Sequence, residues 1–118
     1  LMRKIAVACE ENQVSEHFGL CKHFKVYNIE GKSVRLIEQL ANPGHKPCEL
    51  PEYICNFGAT TIISGSMGKA AAHIAKEHGI EIIVGATGDT DEVIASYIDG
   101  SLISTGQLCD SWICEFLH

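Results

Sequence analysis

Residues 60–88 read TTIISGSMGKAAAHIAKEHGIEIIVGATG, and this stretch decides the fold. Thr60–Ser64 is a short β-branched run and reads as a strand. Met67, Ala70, Ala71, Ile74 and Ala75 then recur at helical spacing over residues 67–78. Ser66 is the expected N-cap of that helix, and Gly79 stands where a helix C-terminus takes a left-handed residue. Residues 81–85 (EIIVG) form a second apolar run, read as a buried strand. Strand, helix and strand joined by short glycine-bearing loops make a β-α-β unit. Such a unit requires parallel pairing with a right-handed crossover.

The flanks extend the pattern. Upstream, Leu50, Ile54 and Phe57 have helical spacing over residues 49–57, closed by Gly58. Asn42-Pro43-Gly44 breaks the chain before it. Residues 23–30 and 33–40 read as two strands joined at Gly31-Lys32, a hairpin. Residues 3–10 (RKIAVACE) carry apolar side chains on both faces, as a central strand of an α/β sheet does. Residues 11–21 read as a polar loop. Downstream, Asp89 and Glu92 have capping-box spacing at the start of a helix bearing Val93, Ile94, Tyr97 and Ile98, stopped at Gly100. The expectation is a three-layer α/β/α fold. Its sheet is mixed and five-stranded, with one antiparallel strand. One domain spans residues 1–118, with a core over about 3–103 and a tail over 104–118.

The chain has 118 residues, a length typical of one domain with its own core. Acidic residues outnumber basic ones by 15 to 9, for a net charge of −6, and no basic tract occurs. Nucleic-acid binding is therefore not expected. No apolar run approaches the ~20 residues of a membrane span. Arg3-Lys4 runs straight into a strand, so no signal peptide is expected. Six cysteines and six histidines stand out. Long Ile/Val/Ala runs and helical repeats set the chain apart from disulfide-rich secreted domains, so reduced thiols in the cytoplasm are expected.

Several enzyme signatures are absent. Gly68-Lys69 lacks the Gly at 63 and the Ser or Thr at 70 that a phosphate loop needs; Ile63 and Ala70 stand there. Gly85-Ala86-Thr87-Gly88 lacks dinucleotide-binding spacing. There is no H-E-x-x-H, C-x-x-C or G-x-S-x-G, and no paired acid and base, so an enzyme is not expected.

With this fold, three segments are expected to meet at the carboxyl ends of the parallel strands, where open α/β sheets bind ligands. They are Ser15-Glu16-His17-Phe18-Gly19, Ser64-Gly65-Ser66-Met67-Gly68 and Gly85-Ala86-Thr87-Gly88. The two glycine loops each precede a helix and offer backbone N–H groups to an anion. The imidazole of His17 and the thiol of Cys9 stand beside them, and both suit iron, copper or zinc. Together these groups fit an anionic metal–sulfur species. The plainer alternatives are a loop histidine packed on Phe18, a buried Cys9 acting as a small apolar residue, and glycines that merely turn the chain. Cys48, just ahead of a helix and near Lys46, has a setting that lowers thiol pKa, and Cys55 lies two turns on. Cys109 and Cys114 flank Trp112 and suit packing, a dimer contact or metal. The acidic group Asp89, Asp91 and Glu92 is most simply a helix start.

IAVACEENQVSEHFG at the start, the Asn42-Pro43 break, GATTIISGSMGKAA in the middle and GIEIIVGATGDTDEVIASYIDGSL after it resemble the dinitrogenase iron–molybdenum cofactor biosynthesis family of the NifX/NafY type. The similarity covers about residues 3–103, and Ser15-Glu16-His17-Phe18-Gly19 is its most specific part. The resemblance implies a ribonuclease H-like fold without nuclease chemistry. It implies binding and transfer of an iron–sulfur or iron–molybdenum-type cluster during cofactor assembly, with donor and acceptor proteins as partners. A molybdenum–copper sulfide cluster is carried by a related small protein type. The family's ligand histidine maps onto His17, while the cysteines fall outside the motif. The cofactor-binding set is then Ser15, His17, Phe18, Gly19, Gly65, Ser66, Met67, Gly68 and Gly85, with His17 and Cys9 as metal ligands. The protein is expected to be a monomer or weak homodimer. The alternative is a metal-free regulatory or interaction module on the same fold, docking to an iron–sulfur or ATPase partner.

Overall fold

The first strand, β1 (Met2–Glu10), lies at the centre of the sheet. This computed structural model describes residues 2–44 and 49–108. The candidates Cys48, Cys109 and Cys114 lie outside the described residues. β2 (Gln13–Val14), β3 (His23–Glu30) and β4 (Ser33–Ala41) follow β1. Then come α1 (Leu50–Cys55), β5 (Thr61–Ile63), α2 (Lys69–Glu77), β6 (Glu81–Ile83) and α3 (Thr90–Asp99).

The sheet runs β4-β3-β1-β5-β6, with β2 paired to β1. β5 is parallel to both β1 and β6, as the β-α-β reading requires. β3 is antiparallel to both β1 and β4, and among these five strands it alone reverses direction. The sixth strand was not expected. β2 folds back on the end of β1, with Cys9 opposite Val14 and Glu10 opposite Gln13. Glu11 makes that turn in a left-handed conformation, φ 54°. A strand of two residues is too short for alternation to register.

The pleat of β1 sorts the core. Ile5 and Val7 point to one face and pack with Val93 and Ile94 of α3. Ala6 and Ala8 point to the other, where Leu50 and Ile54 of α1 meet Ala71, Ala72 and Ala75 of α2. Helices therefore cover both faces of the sheet. Each fully buried side chain of the size of Ile62 or Leu50 contributes about 1.5–3 kcal/mol.

Two helix starts differ in a way that matters for the site. α3 begins as expected: the Asp89 carboxylate accepts from the Asp91 and Glu92 backbone N–H groups at 3.0 and 3.2 Å. α2 does not. Its N-cap is Gly68, with no side-chain cap, rather than Ser66. The later start places Ala71, Ala72 and Ala75 inward and leaves Ala70 exposed. The C-terminal glycines behave as read, with Gly58, Gly79 and Gly100 all at positive φ.

One buried ammonium ties the first loop to α3. Lys25 Nζ is buried and donates to Asn12 Oδ1 at 2.7 Å and to Thr90 Oγ1 at 3.2 Å. Tyr27 OH donates to Asp91 Oδ1 at 3.0 Å. Among the described residues no helix is long and apolar enough to cross a membrane.

Candidate functional site

The loops after β1, β5 and β6 are joined by backbone hydrogen bonds. Ser15 N donates to Ala8 O at 2.8 Å, Gly65 N to Ser15 O at 2.9 Å, and Gly85 N to Gly65 O at 2.8 Å. Phe18 N donates to Ser66 O at 2.9 Å, and Val14 N to Gly88 O at 2.9 Å. The three segments read as converging do converge.

The glycines make this possible for different reasons. A Cβ on Gly65 would stand 2.7 Å from Ser15 O and 2.8 Å from the Glu16 Cα, so only glycine lets the two loops touch. Gly85 has φ +87°, and a Cβ there would run into Thr105 Cγ2. Gly68 has an ordinary φ of −70° and serves as the α2 N-cap.

His17 is held by Ser66. The Ser66 hydroxyl lies 2.6 Å from Glu16 O and 3.0 Å from His17 Nδ1. A hydroxyl has one proton, and Glu16 O can only accept, so that proton goes to the carbonyl. Ser66 Oγ is then placed to accept from Nδ1–H of His17, and a neutral ring bonded in this way carries its lone pair on Nε2. Ser15 shapes the same turn: its buried Oγ lies 3.1 Å from His17 O and accepts from His17 N at 3.3 Å. Asn42, from the Asn-Pro break, donates to Cys21 O at 2.9 Å and steadies the chain just beyond.

Two shallow hollows flank Glu16. One of about 370 Å³ is lined by Glu10, Val14, Ser15, Glu16, His17 and Leu20. The other, about 340 Å³, runs along Gln13, Gly65, Ala86, Thr87 and Gly88. Each is large enough for a small ligand. Among the described residues no Lys or Arg lines either hollow, while Glu10 and Glu16 do. Part of the Glu10 charge is offset, because its Oε2 accepts from Lys22 N at 3.0 Å.

Other candidates point away from the hollows. Phe18 and Met67 are core side chains, each 1% exposed; Phe18 packs on Phe24 with ring centroids 5.6 Å apart. Their backbones shape the site and their side chains support it from beneath. Cys9 is fully buried and donates to His23 O at 3.4 Å. Burial raises its pKa to about 11, and burial likewise raises Cys21 to about 12, so both remain thiols at neutral pH. Cys9 lines neither hollow. Cys55 is half-buried against the α1/α2 side of the core. Among the described residues no group of three or more His, Cys, Asp or Glu could hold a metal ion.

Sequence reasoning passed over three contributors. Glu16 lines both hollows although only its motif was noticed. Val14 lies between them, hidden in an unread strand. Thr105, assigned to the tail, packs on Gly85, and its N–H donates to Val84 O at 3.0 Å. No local periodicity marks any of the three.

The chain resembles known proteins over most of its length. An uncharacterized protein of Methanocaldococcus jannaschii is 31% identical over 106 residues, which are 86% of this chain and 90% of that protein. The crystal structure of PH0822 superposes with a TM-score of 0.81 at 28% identity, covering 88% of this chain and 96% of that one. The apo form of the orange protein from Desulfovibrio gigas shares the fold, with a TM-score of 0.76 at 20% identity over 90% of this chain and 95% of its own. Residues 2–100 match the family described as dinitrogenase iron–molybdenum cofactor. This chain, with its His17 loop bonded to the Gly65 loop, belongs to the dinitrogenase iron–molybdenum cofactor family.

Proposed function

We propose that the protein binds and carries a preassembled iron–sulfur or iron–molybdenum-type cluster as cargo during cofactor assembly, and is not an enzyme. The observation that carries this reading is the His17–Ser66–Glu16 relay. It fixes the ring and leaves the lone pair on Nε2, the arrangement that a ligand histidine needs. The donor set fits a cluster rather than a bare ion. A cluster brings its own sulfide ligands and asks the protein for one or two side chains, here His17; the Gly65 and Gly85 N–H groups, expected to face an anion, are instead bonded to Ser15 O and Gly65 O. A bare ion asks for three or four protein ligands, and among the described residues no such group is present. The family match supports the assignment to cofactor assembly. The strand order, with β3 alone reversed among the five main strands, suits a ribonuclease H-like sheet, here without nuclease chemistry. Donor and acceptor proteins for the cluster are the partners this reading requires.

The carboxylates of Glu10 and Glu16 favour a second reading, a metal-free module that docks on a basic partner surface. Anaerobic reconstitution with ferrous iron and sulfide, and separately with thiomolybdate and copper, separates the two. Cluster carriage gives charge-transfer absorption and stoichiometric metal. His17→Ala abolishes both while the protein stays folded, and Cys9→Ala leaves them in place. A colourless protein after every reconstitution overturns the carrier reading.

A further inference from the structure

The two edges of the sheet are treated differently. At the β6 edge, the chain just beyond the strand is covered: Val84 N donates to Ser104 Oγ at 3.1 Å and Val84 O accepts from Thr105 N at 3.0 Å. At the other edge β4 runs for nine residues, and among the described residues no strand pairs with its outer side. β4 also exposes apolar side chains, with Val34 at 42%, Leu36 at 48% and Ile37 at 41%. A hollow of about 460 Å³ opens beside it, between Val34 and Leu36 on the strand and Ile94 and Ile98 of α3. A long apolar edge of this kind is a template for strand addition, and the one bulge and two charges that β4 carries restrict which strand can pair with it.

The charges on β4 identify the occupant. Arg35 and Glu38 are the strand's only charged residues. In the β3–β4 register Arg35 lies opposite Asn28 and Glu38 opposite Val26, so both stand on the same face of the sheet. The bulge at Val26/Tyr27 places one extra residue, Ile37, between them. If β4 met an identical antiparallel strand about a two-fold axis between Leu36 and Ile37, each Arg35 would stand opposite the Glu38 of the second copy. Both charge pairs would then be satisfied by one symmetry operation, and the Leu36 side chains would flank the axis beside the joined hollows.

We propose that β4 is a self-association edge, pairing antiparallel with β4 of a second copy about this axis to join two sheets into one. An isologous contact of this kind closes at two subunits. The inference uses no residue of the candidate site, so it stands or falls apart from the carrier reading.

Sedimentation velocity of the full chain over a concentration series tests it. The expected result is a monomer–dimer equilibrium. Leu36→Lys removes the dimer, and because Leu36 is half exposed, the thermal melt of the dilute monomer stays near that of the wild type. Arg35→Glu turns two attractions into two repulsions and raises the dissociation constant about tenfold. The double variant Arg35→Glu/Glu38→Arg restores the wild-type constant. A monomer at every concentration overturns the proposal. So does a dimer insensitive to Leu36→Lys, or a charge swap that fails to rescue, since the axis would then lie elsewhere.

Discussion

The loops at residues 64–69 and 85–90 look alike in sequence, each a strand end, glycines, a polar residue and a helix, yet the polar residue serves opposite ends. In the second loop Asp89 faces its own helix. Its carboxylate takes the Asp91 and Glu92 N–H groups and sets a negative charge at the α3 N-terminus. In the first loop Ser66 turns away from α2, which is capped by Gly68 and has no acidic residue in its first turn. Its hydroxyl goes instead to Glu16 and His17, about fifty positions earlier. A helix N-terminus attracts anions unless a carboxylate has already taken the place. The α3 end is therefore filled by the protein's own charge, while the first turn of α2 carries no acidic residue. Two similar loops thus divide the work: one anchors a helix, and the other builds a site.

The harshest way to break this division is Gly65→Ala. The new Cβ would press on the backbone of Ser15 and Glu16, which cannot swing aside as a side-chain tip would. Either the loops part or the strand end shifts. The expected loss is about 1–3 kcal/mol of stability, as for overpacking elsewhere. Cluster binding should fail with it, because His17 is carried on the displaced loop. Urea titration with reconstitution of the same samples checks both.

Asp89→Ala sharpens the contrast from the other side. It removes a cap that two backbone N–H groups use, so α3 should lose about 0.5–2 kcal/mol. Cluster retention should hold, since the Asp89 carboxylate bonds its own helix and the backbone bridge from Asp89 to Gln13 does not depend on that side chain. If retention falls as far as stability does, the two loops are not separable and the division of labour is wrong.

The sequence made some of this readable and hid the rest for physical reasons. The strand–helix–strand stretch at 60–88 carries its own punctuation: β-branched runs, a 3.6-residue rhythm and a terminal glycine. The Gly31-Lys32 turn is equally local, and Glu30 does pair with Ser33 across it. Convergence of the three loops followed from topology alone. What failed was whatever a distant partner decides. Ser66 has the right type and place for an N-cap, and only a carbonyl and an imidazole from another loop draw it away. Cys9 and His17 are both plausible ligands by chemistry. Strand direction sends one into the core and leaves the other at the rim of a hollow. Phe18 and Met67 belong to conspicuous motifs, yet the motif backbone shapes the site while their side chains fill the core. Lys25 is buried against Asn12 and Thr90, an arrangement no periodicity announces.

Ser66→Ala is the mildest change to the fold and the most telling for the comparison. Because Ser66 does not cap α2, helix stability should be untouched, and losing its two polar contacts should lower stability by only about 0.5–1.5 kcal/mol. The effect on His17 is specific. With no hydroxyl to receive the Nδ1 proton, the ring loses that hold, and a proton moved to Nε2 would block coordination there. Loss of such an orienting partner typically lowers metal affinity by 10–100-fold. Nitrogen-15 chemical shifts of the His17 ring report the tautomer directly. The wild type should show a protonated Nδ1 and the variant a mixture. Ser66→Thr keeps the hydroxyl and should restore both the tautomer and the retention of a reconstituted cluster. An unchanged tautomer in Ser66→Ala would mean that something other than Ser66 orients His17, and the two glycine loops would then differ only in how their helices begin.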